Sequence, residues 1–379
     1  MRHRHRHIDA LVRISVAVYG AALYVGCGSG SGNSLVNGSG GQGGSGGTGG
    51  EPDGGSSGSG GSPSSGGAGG TDAGSRTDAV ADVSGPSDGG SFAPLAWTKT
   101  KTPAVVLDAI GGTGENDVWA TGRGGGVFIS TGNDVWTRRL TDVTFDLYKM
   151  WGPSPDNVWV AVNANIVLHW TGKWQHEFQG IEAGETFTDA TGSSATDLFM
   201  VSGRLLHSTG NGVWSPIKFQ SSGSIANVWS IGPNEALATD DNRAFYIKDQ
   251  VVTPLGPTGL PTGSARGLWG SSPTNVYVVK GDGIAHLSNS GKWIIEHTWD
   301  TVKEQDGAVA IWGANSSEVF VTTGFGQLLR SHGDGQWSIS EIDQRTAFSS
   351  QIVGIWGTSA ANVYVAAGSN VYHGRPGGQ

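Results

Sequence analysis

The chain has 379 residues, 65 of them glycine, and a formal net charge of −9. An acidic balance with no dense basic cluster in the globular part argues against a nucleic-acid partner, and a single cysteine excludes an intramolecular disulfide. The length suits one large domain or two ordinary ones, but glycine is crowded between Gly26 and Gly90, so the composition itself marks a boundary.

Residues 1–27 read as a signal peptide. Arg2, Arg4, Arg6 and Arg13 make a basic start, and Ile14 to Val25 is an uncharged, mostly apolar run too short to span a bilayer comfortably. The run ends at Leu23-Tyr24-Val25-Gly26-Cys27, which resembles a bacterial lipobox, where a small residue precedes a cysteine that becomes lipidated. On that reading Cys27 carries an acyl anchor and holds the protein at a membrane surface without a spanning helix; the plainer reading is a leftover signal-peptide cysteine. Removing residues 1–27 leaves 19 basic and 31 acidic residues, a net of −12. Residues 28–93 are Gly/Ser-rich with almost nothing to bury, the composition of a disordered linker. As a flexible coil that linker spans about 45 Å, enough to lift a domain clear of lipid headgroups. No later segment approaches 18 consecutive apolar residues.

From residue 94 to 379 the chain is one unit repeated. Trp151-Gly152-Pro153-Ser154-Pro155-Asp156-Asn157-Val158-Trp159-Val160 recurs as Trp269-Gly270-Ser271-Ser272-Pro273-Thr274-Asn275-Val276-Tyr277-Val278, and again after Trp312-Gly313 and Trp356-Gly357. The equivalent residues are Gly111, Trp151, Thr191, Trp229, Trp269, Trp312 and Trp356, at intervals of 38 to 44 residues. Each unit reads as four short strands. In the second they are Phe145 to Trp151, Asn157 to Val162, Ile166 to Trp170, and a fourth opening at Trp174, joined by turn-forming Pro, Ser, Asp, Asn and Gly. Seven units of this period predict an all-β, seven-bladed β-propeller with four antiparallel strands per blade. A two-sheet sandwich is the alternative.

Tryptophan reinforces the period. Thirteen of the 15 tryptophans fall at three repeat positions: the end of the first strand, the second strand (Trp119 and Trp159), and the start of the fourth. Residues that recur in every blade read as wedge-filling core, with a carbohydrate-binding aromatic stripe as the functional alternative. The last unit stops at His373-Gly374-Arg375-Pro376, before any fourth strand, while Pro94 to Thr100 precedes the first unit and carries Trp97 at the right place. The N-terminal strand is therefore expected to complete the seventh blade and close the ring.

The turns Ser208-Thr209-Gly210-Asn211-Gly212-Val213-Trp214 and Ser331-His332-Gly333-Asp334-Gly335-Gln336-Trp337, with the Asn-Val-Trp second strands, resemble the repeats of BNR/Asp-box and YCF48-like propellers. More closely, they resemble the secreted Trp-Gly…Asn-Val-Trp propeller lipoproteins common in myxobacteria. The resemblance covers residues 94–375 and implies the fold; it implies no ligand.

Candidate site residues follow from the architecture. Arg123, Arg204 and Arg243, with Asp240, Asp241 and Asp282, lie on second-to-third-strand loops and so share one face. The long fourth-to-first-strand excursions belong to the same face and carry Trp299, Asp300 and Arg345, an aromatic and charges suited to a partner contact, with an aromatic tucked onto its own blade as the equal alternative. A sialidase-like hydrolase would need a paired acid and nucleophile beside an Arg cluster; solvated loop charge is the plainer reading. His169, His207, His286 and His373 occupy one repeat position on different spokes and cannot converge on one ion, so no metal site is expected. Gly122-Arg123-Gly124-Gly125-Gly126 joins two strands and is a hairpin turn, not a phosphate loop. The sequence thus reads as a monomeric, cell-envelope-anchored, non-catalytic binding or scaffolding propeller, an outer-membrane lipoprotein or secreted, without a cofactor. Its partner would be a protein or glycan at the cell surface. A surface glycoside hydrolase or lyase using the same face is the rival, and a mainly structural envelope protein the third reading.

Overall fold

The computed structural model describes residues 92–103, 105–257, 260–299, 307–324, 326–342 and 351–377. The signal peptide, Cys27 and all of the linker but Phe92 and Ala93 lie outside these residues, as do Asp300 and Arg345.

Among the described residues, twenty-eight strands form seven four-stranded antiparallel sheets. Blade 1 comprises Leu107–Gly114, Asp117–Gly122, Gly126–Ser130 and Thr137–Arg139 from inner to outer strand. Blade 2 comprises Leu147–Ser154, Asn157–Val162, Ile166–Trp170 and Trp174–Glu177. The second and third strands match expectation. The first begins two residues later than Phe145, whose carbonyl turns aside to accept from Gly125 N at 2.7 Å. It then continues past Trp151 through a register shift to Ser154, which pairs with Asn157 and reduces the turn to Pro155-Asp156.

The inner strands are neighbours around a closed circle, that of blade 7 returning to blade 1. Blade 7 consists of Ile352–Ser359, Asn362–Ala367 and Asn370–Pro376, with Leu95–Lys101 as its outer strand. Trp97 pairs with Gly374 and Lys99 with Tyr372. The last free edge of the ring is thereby covered by the start of the domain.

Each sheet is packed on both faces, so second strands are continuously apolar instead of alternating. In Asn157–Val162 all but the first residue are buried. Outer strands see solvent and become polar, as in the fully exposed Ser338–Glu341.

The Trp-Gly pair has a specific cause. The indole that ends one inner strand lies on the glycine of the next blade. A Cβ on Gly313 would stand 2.4 Å from Trp269, on Gly112 2.5 Å from Trp356, on Gly192 2.8 Å from Trp151 and on Gly357 2.9 Å from Trp312. Blade 3 carries Thr191 in place of Trp, and the next blade carries Ser230 in place of Gly; there the Thr191 hydroxyl accepts from Ser230 N at 3.2 Å. Gly313→Ala is expected to destabilise by about 1–3 kcal/mol through overpacking. The comparison is Gly223→Ala, which meets nothing within 4 Å and is expected to change stability by less than about 0.5 kcal/mol. Equal melting points for the two variants would contradict this packing.

Outer-strand tryptophans clasp the preceding blade. Trp136 Nε1 donates to Thr100 Oγ1 of blade 7 at 3.0 Å, Trp174 to Leu140 O at 2.8 Å, Trp214 to Glu177 at 2.9 Å, Trp293 to Leu255 O at 3.2 Å and Trp337 to Glu296 at 3.1 Å. Trp119, Trp159 and Trp214 are essentially inaccessible, so these rings are core and not a carbohydrate platform.

Candidate binding face

The ring has two faces. The upper one carries the second-to-third-strand turns and the connections between blades. The chain enters from the lower one, where Leu95 pairs with Pro376. There Phe92 stacks on His332 (centroids 3.7 Å apart) and under Arg330 (4.1 Å), whose Nη1 donates to Ala93 O at 3.2 Å.

The upper face holds the described candidates, but in three separate groups. On blades 4 and 5, Asp240, Asp241 and Asp282 surround Lys280, a buried residue whose ammonium donates to Asp241 O and is pulled below the ordinary amine value by burial, against those three carboxylates. Asp240 is itself fully buried. Burial would raise its carboxyl, but bonds from Asn242 N (2.8 Å), Ser222 N and Oγ (2.8 Å each) and Arg243 N (2.7 Å) outweigh that and hold it low. Its chemistry is that of a turn organiser. Arg243 reaches Gln220 O at 3.3 Å and lies over Phe245. Asp282 accepts from the Thr262 hydroxyl. Trp299 is folded back, its Nε1 donating to Lys280 O at 2.9 Å and its ring edge-on to His297.

On blade 3, Arg204 is clamped by Glu185 (2.6 Å) and Glu182 (2.7 Å). The four histidines are interior fittings: His169, His286 and His373 stack on Trp159, Tyr277 and Tyr364 with centroids 3.8–4.0 Å apart, each held at its Nε2 by the Asn that opens the second strand. His207 bonds Asp197 at 2.9 Å. The glycine-rich turn at Arg123–Gly125 is a single 3₁₀ turn between strands.

The group at blades 1 and 2 contains residues that sequence reasoning passed over. Exposed Arg123 sits in the field of Asp108, Asp146 and Tyr148. Asp146 caps the glycine-rich turn through Gly124 N (3.0 Å), and Tyr148 accepts from Asn163 (2.9 Å). Asp108 has a buried carboxylate oxygen with no hydrogen-bond partner. Burial, and secondarily Asp146, push its carboxyl up to about 6, with Arg123 opposing. The exposed side chains of Val106 and Phe145 flank the same turn. A raised carboxyl stabilises the fold below its ordinary range and ceases to do so as pH rises through about 6. Asp108→Asn is therefore expected to raise stability at pH 8, by about 1 kcal/mol after allowance for partial exposure. The gain should vanish by pH 4. A gain independent of pH in thermal melts would contradict the assignment.

At the axis lies a channel cavity of about 360 Å³, lined by inner strands of all seven blades and largely by Gly, Ala, Val and Trp. Its polar residues are Lys149, Asp189, Thr191, Asn227, Ser230 and Arg266.

This architecture is similar to several solved structures. YCF48 bound to a D1 peptide aligns at 14% identity with a TM-score of 0.60, covering 76% of this chain and 98% of that one. A streptogramin B lyase aligns at 14% identity with a TM-score of 0.65, covering 76% and 100%. U3-55K aligns at 9% identity with a TM-score of 0.60, covering 74% and 99%. The chain shares their propeller fold. No protein-family model and no curated protein matches the sequence. At these identities the likeness is one of fold, and both a peptide-bound protein and a lyase carry it. The ring's chemistry must therefore be read from its own residues.

Proposed function

We propose that the protein is a cell-envelope-anchored, non-catalytic binding or scaffolding propeller that uses its upper face and channel mouth. The observation that carries this reading is the employment of the face's charged groups. Asp240 and Arg204 are committed to turn and loop contacts, and the channel wall beneath is mostly small and apolar. Such a surface recognises shape and a few polar groups. YCF48 bound to a D1 peptide shows that a propeller of this kind can bind a peptide. Because the chain joins the ring at the lower face, a tether upstream leaves the upper face open to a protein or glycan. Lipidation at Cys27 would supply the anchor.

The pair Asp108 and Asp146 beside Arg123 is the one observation that favours the rival, a surface glycoside hydrolase or lyase. Two measurements decide. A screen of glycans, peptidoglycan fragments and peptides against the full chain is expected to find binding that survives Asp108→Asn without turnover of the ligand; turnover abolished by that substitution would establish the enzyme instead. Cys27→Ser is expected to move the protein from the membrane to the soluble fraction, and continued sedimentation with membranes would exclude the acyl anchor.

A further inference from the structure

The repeat supplies its own control for what structure alone requires at each position. Two places before the Trp-Gly pair, the inner strands of blades 1, 5, 6 and 7 carry Ala109, Gly267, Ala310 and Gly354, so packing there is met by the smallest side chains. Blades 2, 3 and 4 carry Lys149, Asp189 and Asn227 at the same level, and Arg266 follows one place earlier on blade 5. All four line the channel cavity. They form a contiguous arc in the order cation, carboxylate, amide, cation. Among the described residues neither Lys149 nor Arg266 makes a hydrogen bond or ion pair, and Lys149 acts on the fold only through its field at Asp189.

Asp189 is differently placed. Its Oδ1 accepts from Ala190 N and its Oδ2 from Val228 N of the next blade, both at 3.0 Å. These contacts fix the carboxylate. With two donors on roughly four lone-pair sites, it keeps capacity for two more. The residue is partly exposed and lines the lumen. Burial raises its carboxyl, and Lys149 counters that.

An arc with two unpaired cations around one carboxylate carries a net charge of +1. The cavity, of about 360 Å³, is of small-molecule size. We propose that this arc binds a free aminodicarboxylate, with one carboxylate on Arg266, the other on Lys149 and the ammonium between them on Asp189. The ligand's net charge of −1 then neutralises the arc, and Asn227 offers a further hydrogen bond. Asp189 serves as the selector, since it repels a plain dianion and attracts the amine. The proposal rests on the channel mouth being a binding site, as argued above.

The test is calorimetric titration of the full chain with glutamate and 2-aminoadipate, and in parallel with glutarate, γ-aminobutyrate and sulfate. At least one of the two aminodicarboxylates is expected to bind. Glutarate, lacking the amine, and γ-aminobutyrate, lacking one carboxylate, should bind about tenfold more weakly or worse. Lys149→Met and Arg266→Met should each weaken binding about tenfold or more. Arg266→Met should melt at the wild-type temperature, because that side chain bonds to nothing in the protein, whereas Lys149→Met removes the charge that offsets the burial of Asp189 and is expected to melt slightly lower. Sulfate or glutarate binding as tightly as glutamate would overturn the proposal, as would wild-type affinity in both variants. No binding of either aminodicarboxylate, while a glycan or peptide still binds the upper face, would defeat this inference alone. No binding of anything would defeat the broader reading as well.

Discussion

Deleting residues 92–101 is expected to lower the melting temperature by more than about 10 °C and to make the protein self-associate. Two effects combine. The deletion removes Leu95 and Trp97 from the packing at blades 6 and 7, a loss on the order of 5 kcal/mol for a large aromatic and an aliphatic side chain. It also uncovers the whole edge of Asn370–Pro376, a row of unpaired backbone groups that invites another chain. Blade 1 suffers too, because Trp136 loses the Thr100 hydroxyl to which it donates. Deleting residues 28–80 is the control and should leave the melt unchanged. Calorimetry and light scattering on both variants measure the difference, and equal melting of the two would contradict closure by the N-terminal strand.

The second large effect is expected at Glu177. This buried carboxylate accepts from Trp159 Nε1 (3.2 Å) in its own blade and Trp214 Nε1 (2.9 Å) in the next, and lies 3.1 Å from His169 Nδ1. Glu177→Ala would leave three buried polar groups without their partner, a cost of about 3 kcal/mol or more. For a domain of this size that is a fall of roughly 6–12 °C. Glu177→Gln keeps an acceptor oxygen and is expected to lose less than half as much. If the two variants melt alike, the acceptor oxygen that Gln retains contributes nothing and the hydrogen-bond account of Glu177 fails.

The fold was legible because its determinants are local and repeated seven times. The strand Asn157–Val162 announces itself by composition, and the overhang of Pro94 to Thr100 against the deficit after Pro376 announces closure. The clasp at Glu177 was not legible, because it joins residues 37 apart through a tryptophan whose partner differs from blade to blade. Trp299 looked like a protruding aromatic because it is off the repeat; the Lys280 carbonyl that turns it inward is visible only in three dimensions.

The polar groups at the axis were missed for a different reason. Lys149, Asp189, Asn227 and Arg266 lie within or at the start of inner strands, not on the loops from which candidates are drawn. The signal was present: aligning the seven units shows a lysine, an aspartate and an asparagine where the other blades carry Ala or Gly. Lys280 was detectable in the same way, as a lysine ending a second strand whose counterparts include Gly122, Val162 and Thr323. In a ring built by repetition, the core is found where units agree and the candidate site where they differ.

The central claim is that one circle of seven blades is locked by a strand from the far end of the chain. Hydrogen exchange on the full-length protein measures it most directly. The alternate amides of residues 96–101 that bond to the neighbouring strand are expected to be protected along with those of residues 370–376, since the two strands share one ladder. Rapid exchange of the first segment, with the second still protected, would contradict the account.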